Sequence, residues 1–462
     1  MSFQYKHTDF EGVGPKGENS KRCIFWNKTR FLILFVGLMC ITCTNANMIL
    51  MNFTVICMND VIIEQKMGNQ THWLERSSDI SLTFSAAAVG AIFGTVPAVT
   101  LIAKYGIRKT LFSYGIFSSI GTILMPLAVR FGLIPVLIAR LFQGIGASVL
   151  YSSIGSISES WSPVAEIGTY VAFLSSAFQI SNIATMPSAG LLCESSLGWR
   201  SIYYLFGTIT VTLYLLFVYF YRDSPGSHKN VSDVELKKIR FGKEPQFQQV
   251  QSSVKFRHIF MNWEVVEITV AIIGGSAAVI CLNNYGPIYL NKVLGLNIRE
   301  TGYSNAIPYF FAAIVKFAAG PITDRLAGVS ERNRLILFAF LPQILMATGF
   351  LIMSFTSNVS IAQVAYTISV VLAGLNVIGM VKCAQIVAKE HLSLIMAVIS
   401  MSSWLAAFIL PIVIGMVCPT NSHSEWSRFY LSVAVFVVLS NIPFPFLARV
   451  KELRRVGPAT KF

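Results

Sequence analysis

The sequence predicts an all-α membrane protein with twelve transmembrane helices, and three observations support this fold class. Of the 462 residues, 54% are hydrophobic. Charged residues make up only 13%, about half the share that soluble domains carry. The apolar residues also gather in long blocks, each close to the roughly 20 residues that a membrane helix requires. This composition excludes a disordered or collagen-like chain and disfavours a soluble enzyme.

Twelve apolar blocks can be assigned in order along the chain, and each can satisfy its own backbone hydrogen bonds as a helix. Their approximate limits are 31–57, 80–103, 110–129, 133–157, 167–192, 201–221, 265–287, 303–323, 335–354, 362–387, 393–417 and 429–448. We number these blocks as spans one to twelve. No block requires a strand.

The basic residues predict which way the chain is oriented. If the N-terminus is cytoplasmic, the loops on its side hold 26 Lys and Arg residues and the opposite loops hold 7. Cytoplasmic loops are enriched in basic residues, so both termini are predicted to be cytoplasmic. Topology and attraction to lipid headgroups account for the net charge of +14, and no nucleic-acid partner is needed.

The longest internal polar stretch separates six spans from six. This linker is predicted to be cytoplasmic and partly helical near 234–239. The predicted organisation is therefore a tail at 1–30, a half at 31–221, the linker at 222–262, a half at 263–448 and a tail at 449–462.

Two further sequence features concern the cysteines and the first external loop. Most of the eight cysteines lie inside predicted spans, and the pair Cys40 and Cys43 is interpreted as helix packing rather than metal or redox chemistry. Asn69 begins an Asn-Gln-Thr sequon in the first external loop, which predicts glycosylation there.

The two halves also show a weak internal repeat. Lys104 and Arg108 lie in a tight basic turn after span two, and Asp324 and Arg325 lie at the corresponding place after span eight. Repetition of six-span halves is typical of transporters. The alternative is that short basic loops recur on the inner side of any membrane protein.

Several stretches, in a shared order and spacing from about 30 to 450, resemble the major facilitator superfamily. Within it, the chain is similar to solute carrier family 17, the animal anion transporters that include sialin, the vesicular glutamate transporters and the sodium–phosphate cotransporters. The stretches are Arg140-Leu-Phe-Gln143-Gly144, Trp161-Ser-Pro163, Gly198-Trp199-Arg200, Tyr221-Arg-Asp223-Ser-Pro225, Tyr285-Gly-Pro287, Gly302-Tyr-Ser-Asn-Ala-Ile-Pro308, Gly374-Leu-Asn376 and Lys382-Cys383-Ala-Gln385. The resemblance implies the major facilitator fold, with two pseudo-symmetric six-helix halves.

The chain departs from this family at charged positions. Asn45 stands where the vesicular members have an Arg in span one, and Gly275 where they have one in span seven. Ala147 replaces the Glu that follows the span-four Arg, and Ala103 replaces the Asp of the span-two signature. The resemblance therefore implies the scaffold without the family's full proton and substrate chemistry.

Charged residues within the spans are all basic. No acidic residue falls in the middle of a span, whereas Arg140, Lys316 and Lys382 do. A charge at the bilayer centre costs about 2.5–3.5 kcal/mol, so these cations are expected to line a cavity that attracts an anion. For Lys382 and Lys316, snorkelling towards the headgroups is an equal alternative.

Polar neighbours extend this predicted substrate site. Gln143 and Tyr151 fall on the same helical face as Arg140. The resemblance implies that spans one, four, seven and ten line the cavity. Polar residues in three of these spans therefore extend the predicted site, namely Asn45, Asn283, Asn284 and Gln385. The alternative for each amide is an ordinary interhelical hydrogen bond, worth about 0.6 kcal/mol.

Cytoplasmic gating is assigned to the loop charges Lys104, Arg108, Glu166, Asp324 and Arg325.

These features favour a secondary transporter of organic or inorganic anions that works by alternating access. Sodium-coupled phosphate transport, or a receptor or scaffold without transport, are the alternatives. No nucleophile–base pair, phosphate loop or metal-ligand spacing indicates an enzyme, and no cofactor is expected. Without a titratable acid in a span, coupling to Na⁺ is favoured over H⁺. We expect a monomer in the plasma membrane or a vesicle membrane, with an anionic substrate and the lipid bilayer as its partners.

Overall fold

The computed structural model describes residues 27–66, 72–241, 243, 263–325, 333, 336–387 and 392–442. Helices dominate this part of the chain, and no strand occurs among these residues. The all-α class predicted from the composition is thus confirmed. Asn69 lies outside the described residues, so its glycosylation stays a prediction.

The helices follow the predicted spans in order. Before the linker they are α1 Thr29–Thr54, α2 Asn59–Lys66, α3 Ser77–Ile123, α4 Met125–Phe131, α5 Leu133–Ala147, α6 Leu150–Trp161, α7 Ile167–Ser175, α8 Ala177–Glu194 and α9 Gly198–Phe220. The linker contains α10 Asp233–Arg240. After it come α11 Trp263–Ile288, α12 Ile298–Arg325, α13 Leu341–Phe355, α14 Val359–Val387, α15 Leu392–Val417 and α16 His423–Asn441. Within the described residues, six helical segments are long and apolar enough to cross a membrane, and two shorter apolar helices accompany them.

Helix α3 contains both span two and the start of span three. Its 47 residues bend at Gly106, whose φ of 81° is a conformation that glycine adopts readily. The backbone nitrogen of Arg108 donates to the Asp223 carboxylate over 3.0 Å. The basic turn is therefore anchored to the chain that leaves α9.

Small residues let α3 and α5 pack closely. A Cβ at Gly144 would overlap the carbonyl of Ala87, and a Cβ at Gly90 would overlap that of Leu141. Gly144 is thus a helix-contact residue.

One covalent link was not expected from the sequence. Cys57, just after α1, forms a disulfide with Cys193 near the end of α8, and their Cα atoms are 6.1 Å apart. Cys40 and Cys43 are free and buried, which agrees with their interpretation as packing residues. The disulfide joins the C-terminal ends of the helices in spans one and five.

The linker helix α10 confirms the helix predicted near 234–239, and it packs on the first half. Glu235 is buried and accepts a hydrogen bond from the backbone nitrogen of Arg30 over 2.9 Å. Glu166 forms ion pairs with Arg30 and with Lys238, each at 3.1 Å. Among the residues described, Glu166 therefore connects α10 to the start of α1.

Candidate functional site

The centre of the candidate site is Arg140, in the second turn of α5. Its side chain is 2% exposed. Nε donates to the carbonyl of Thr83 over 3.1 Å, and Nη1 donates to the carbonyl of Met48 over 2.7 Å. Nη1 also donates to Oε1 of Gln143 over 2.8 Å. Three spans of the first half thus hold one guanidinium.

The charge of Arg140 is not neutralised by an acid in the described part of the chain. No carboxylate forms an ion pair with it there, and no protein hydrogen bond to its Nη2 is present. The ring of Phe84 lies 6.0 Å from the guanidinium carbon and contributes a weak cation–π attraction. Burying a charge is costly unless it is paired, so this cation is suited to receive an anion.

Gln143 lies beside Arg140 as the helical spacing predicts, and Nε2 of Gln143 donates to Oγ1 of Thr122 over 3.0 Å. Tyr151 does not join this group by contact. Tyr151 lies about 16 Å further along the same helical segment, so sharing a face with Arg140 does not bring the two side chains into contact. Tyr151 is 43% exposed, and its ring packs 5.1 Å from that of Phe178.

The amides predicted to bind substrate make hydrogen bonds between helices. Asn45 donates to Ser181 in α8 over 2.6 Å. Asn283 accepts from the hydroxyl of Tyr309 over 2.6 Å, and Oδ1 of Asn284 accepts from Asn52 over 3.1 Å. A role in substrate binding stays a prediction for all three of the predicted amides.

The bond between Asn52 and Asn284 is one of several that join the two halves in their outer portion. Ser81 and Tyr285 bond through their hydroxyls over 2.9 Å. Ser85 donates to the carbonyl of Phe408 over 2.8 Å. One apolar core there includes buried side chains from both halves. The predicted topology places these contacts between the halves on the outer side, and we call this group of contacts the outer gate.

Lys316 lies elsewhere, on the face of α12 that meets the first half. It is 4% exposed and donates to the carbonyl of Ser175 over 3.0 Å and to Oε1 of Gln179 over 3.4 Å. At about 1.5 Å per residue, Lys316 is about 27 Å from the outer start of α12, whereas Arg140 is about 10 Å from the outer start of α5. The structure therefore does not place the two cations in one cluster.

The remaining predicted residues divide between loops and undescribed side chains. Lys104 is exposed beside the ring of Tyr105, and the Arg108 side chain donates to the carbonyl of Val218. The other four lie on helices whose side chains here are outside the described set: Asp324 and Arg325 on α12, and Lys382 and Gln385 on α14. Their gating and binding roles stay predictions.

Sequence reasoning missed several residues that join elements of this site. Asn52 and Ser81 form hydrogen bonds between the two halves, yet a single amide or hydroxyl in an apolar span gives no signal of its partner. Asp223 was seen only as part of a family stretch. No group of three metal-binding side chains occurs in the described ranges.

The sequence profile of the Major Facilitator Superfamily matches residues 31–411. Human sialin is 24% identical over 358 residues, which cover 75% of this chain and 71% of sialin. Human sodium-dependent phosphate transport protein 1 is 24% identical over 375 residues, covering 78% of each chain. Vesicular glutamate transporter 1 of Xenopus laevis is 23% identical over 391 residues, covering 82% of this chain and 66% of the relative.

Solved structures share the fold. The xylose transporter XylE from E. coli, in a partially occluded inward open conformation, matches with a TM-score of 0.69 at 16% identity, covering 91% of this chain and 98% of the other. A bacterial homologue of the lysosomal transporter Spinster matches with a TM-score of 0.66 at 12% identity, covering 91% and 97%. These matches confirm the fold that the sequence resemblance implied.

Proposed function

Because the chain belongs to the Major Facilitator Superfamily, we propose that it is a secondary transporter that carries organic or inorganic anions by alternating access. The observation that carries this proposal is Arg140, a buried guanidinium with no acidic partner among the described residues. Two of the similar proteins, the sodium-dependent phosphate transport protein and the vesicular glutamate transporter, are named for anions. Sialin is similar to this chain at the same level of identity. Both lines favour an anionic substrate.

The geometry of Arg140 supports a specific role. A guanidinium presents a planar fork that binds a carboxylate or phosphate through two parallel hydrogen bonds. Here the carbonyls of Met48 and Thr83 hold part of that fork in place. An arriving anion would bond to the Nη2 edge and neutralise the charge while those carbonyls keep the side chain oriented.

Coupling to sodium or to the membrane potential is favoured over coupling to protons. Proton coupling of the usual kind uses a titratable acid within the membrane. Among the residues that the structure describes, the buried acid is Glu235, which lies in the linker rather than in a span. Asn side chains and backbone carbonyls would then supply the sodium ligands.

The disulfide supports the proposed orientation. Disulfides form in oxidising compartments, so the ends of α1 and α8 that carry Cys57 and Cys193 are assigned to the extracellular or lumenal side. The two termini are then cytoplasmic and Asn69 faces the glycosylation machinery. The protein would act as a monomer in the plasma membrane or a vesicle membrane.

Flux into proteoliposomes tests this proposal directly. Purified protein would be supplied with radiolabelled phosphate, glutamate or sialic acid, under imposed sodium or pH gradients at clamped potential. We expect saturable uptake of at least one anion, which Arg140→Ala reduces at least 10-fold. Arg130→Ala removes an exposed Arg at the outer end of α4 and is the matched control.

The outcomes separate the candidate functions. Uptake of phosphate driven by sodium would support the second candidate, a sodium-coupled phosphate transporter, which the named phosphate relative favours. Normal uptake by Arg140→Ala would refute the assigned role of Arg140. Anion binding without any flux would instead indicate a receptor or scaffold.

A further inference from the structure

The contact between α12 and the pair α7 and α8 runs along much of the membrane depth. At the outer end, the backbone nitrogen of Arg299 donates to the Glu194 carboxylate over 3.1 Å. Next to it, Gly302 lies so close to the carbonyl of Met186 that a side chain there would overlap it. Further in, about 14 Å before α12 ends, Lys316 bonds to Ser175 and Gln179. The seam between the halves thus has one polar contact at its outer end and a separate one in its inner part.

The carbonyl of Ser175 is available because the helix breaks there. Helix α7 ends at Ser175 and α8 begins at Ala177. In a continuous helix the nitrogen of Gln179 would donate to Ser175, but it donates to the carbonyl of Ser176 instead. The Lys316 ammonium takes the place of that missing donor, as a charged side chain can at a helix end.

We propose that Lys316 is an inner latch between the two halves. While it donates to Ser175, it holds α12 against the first half, and it must leave this carbonyl before the inner ends of the two helices can separate. The inference rests on the proposed alternating access, because it assigns one contact to one step of that cycle.

The chemistry of the contact suits a reversible latch. Both acceptors, the carbonyl of Ser175 and the amide of Gln179, are neutral. Release therefore breaks charge-assisted hydrogen bonds rather than a buried ion pair. The freed ammonium would regain hydration as water enters the separating inner side, which offsets the lost hydrogen bonds.

Cross-linking tests whether the contact forms in the membrane. Ser175→Cys and Lys316→Cys would be combined in a chain with a protease site inserted within 244–262. Copper(II)–phenanthroline then takes one electron from each thiol, and the two protons pass to the solvent as the disulfide forms. We expect the cleaved halves to stay joined until a reductant is added. Ser175→Cys with Tyr303→Cys, about 20 Å further along α12, is the matched control and is expected not to link.

Labelling tests whether the contact acts as a latch. Ser175→Cys keeps the backbone carbonyl and reports access from the cytoplasmic side to an impermeant maleimide. We expect Lys316→Met to raise its labelling rate about tenfold, the effect of losing one charge-assisted hydrogen bond. Lys316→Arg retains a donor and is expected to label at the parent rate. Lys292→Met, which removes an exposed external Lys, is the charge control.

The results distinguish the latch from the proposed function. Absence of the cross-link, or an unchanged labelling rate in Lys316→Met, would overturn the latch whatever the uptake. A linked protein that still transports at the full rate would also overturn it. If the wild type binds and transports no anion while the latch results hold, the transport proposal alone fails.

Discussion

Arg140 and Lys316 are both buried cations that form no ion pair within the described part of the chain. They differ in whether their hydrogen-bond partners lie in the same half of the protein or in the opposite half. The partners of Arg140 come from α1, α3 and α5, all in the first half. The partners of Lys316 come from the opposite half. A group held within one half moves with it and can keep a substrate contact, whereas a group that bridges the halves changes its contacts when they move. The same charge therefore suits binding in one place and gating in the other.

Exchanging Arg for Lys at one position and Lys for Arg at the other is expected to give the largest difference in uptake between the two residues. Arg140→Lys is expected to lower uptake efficiency about tenfold, since a compact ammonium lacks the planar fork that can bond the carbonyls on one edge and an anion on the other. Lys316→Arg is expected to stay within about twofold of wild type, because a single donor satisfies the Ser175 carbonyl. Initial uptake rates, normalised to surface expression, measure both. Equal losses in the two variants would contradict the assignment of different roles.

Removal of the disulfide tests how much this link stabilises the first half. Replacing Cys57 and Cys193 with Ser removes a covalent link between residues 136 positions apart. Disulfides of this kind raise the free energy of unfolding by about 2–4 kcal/mol. We expect the apparent melting temperature in detergent to fall by about 5 °C. Cys40→Ser, at a free buried thiol, is the control. A reductant that leaves the wild-type melting temperature unchanged would argue against the bond.

The outer gate is expected to respond less than the inner latch. Asn52→Leu removes the bond to Asn284, and an interhelical hydrogen bond contributes about 0.6 kcal/mol, or roughly threefold in a population. Outward-facing states would then increase by about that factor. Labelling of a cysteine introduced at Asn283 from the outer side measures the shift. A decrease in labelling would show that this bond does not hold the gate closed.

The smallest expected effect concerns pH and the linker. Burial lowers the pKa of His228, mainly through desolvation, and its Nδ1 accepts from the backbone nitrogen of Asn230 over 3.1 Å. The neutral form is therefore favoured in the folded state. The associated stability is present above the unfolded pKa of about 6.5 and falls as pH drops below it. Limited proteolysis of the linker should accelerate below pH 6.5, and less so in His228→Asn.

Much of the architecture was determined by the sequence itself. Long apolar blocks and the scarcity of charge predict membrane helices because the bilayer leaves few ways to satisfy backbone polar groups. The local neighbours Arg140 and Gln143, and the linker helix α10, also follow from spacing along one helix. Such features depend on residues close in the chain, so periodicity and composition are sufficient to predict them.

The tertiary structure alone decided which polar groups meet. It separated Lys316 from Arg140, paired Asn52 with Asn284 and joined Cys57 to Cys193 across long stretches of chain. Tyr151 shares a helical face with Arg140, but its ring packs against that of Phe178, a contact that spacing along one helix does not predict. These contacts depend on how helices pack and rotate against one another, and small residues such as Gly144 and Gly302 set that approach. Packing across the seam therefore decides which buried cation is held within one half and which one bridges the two.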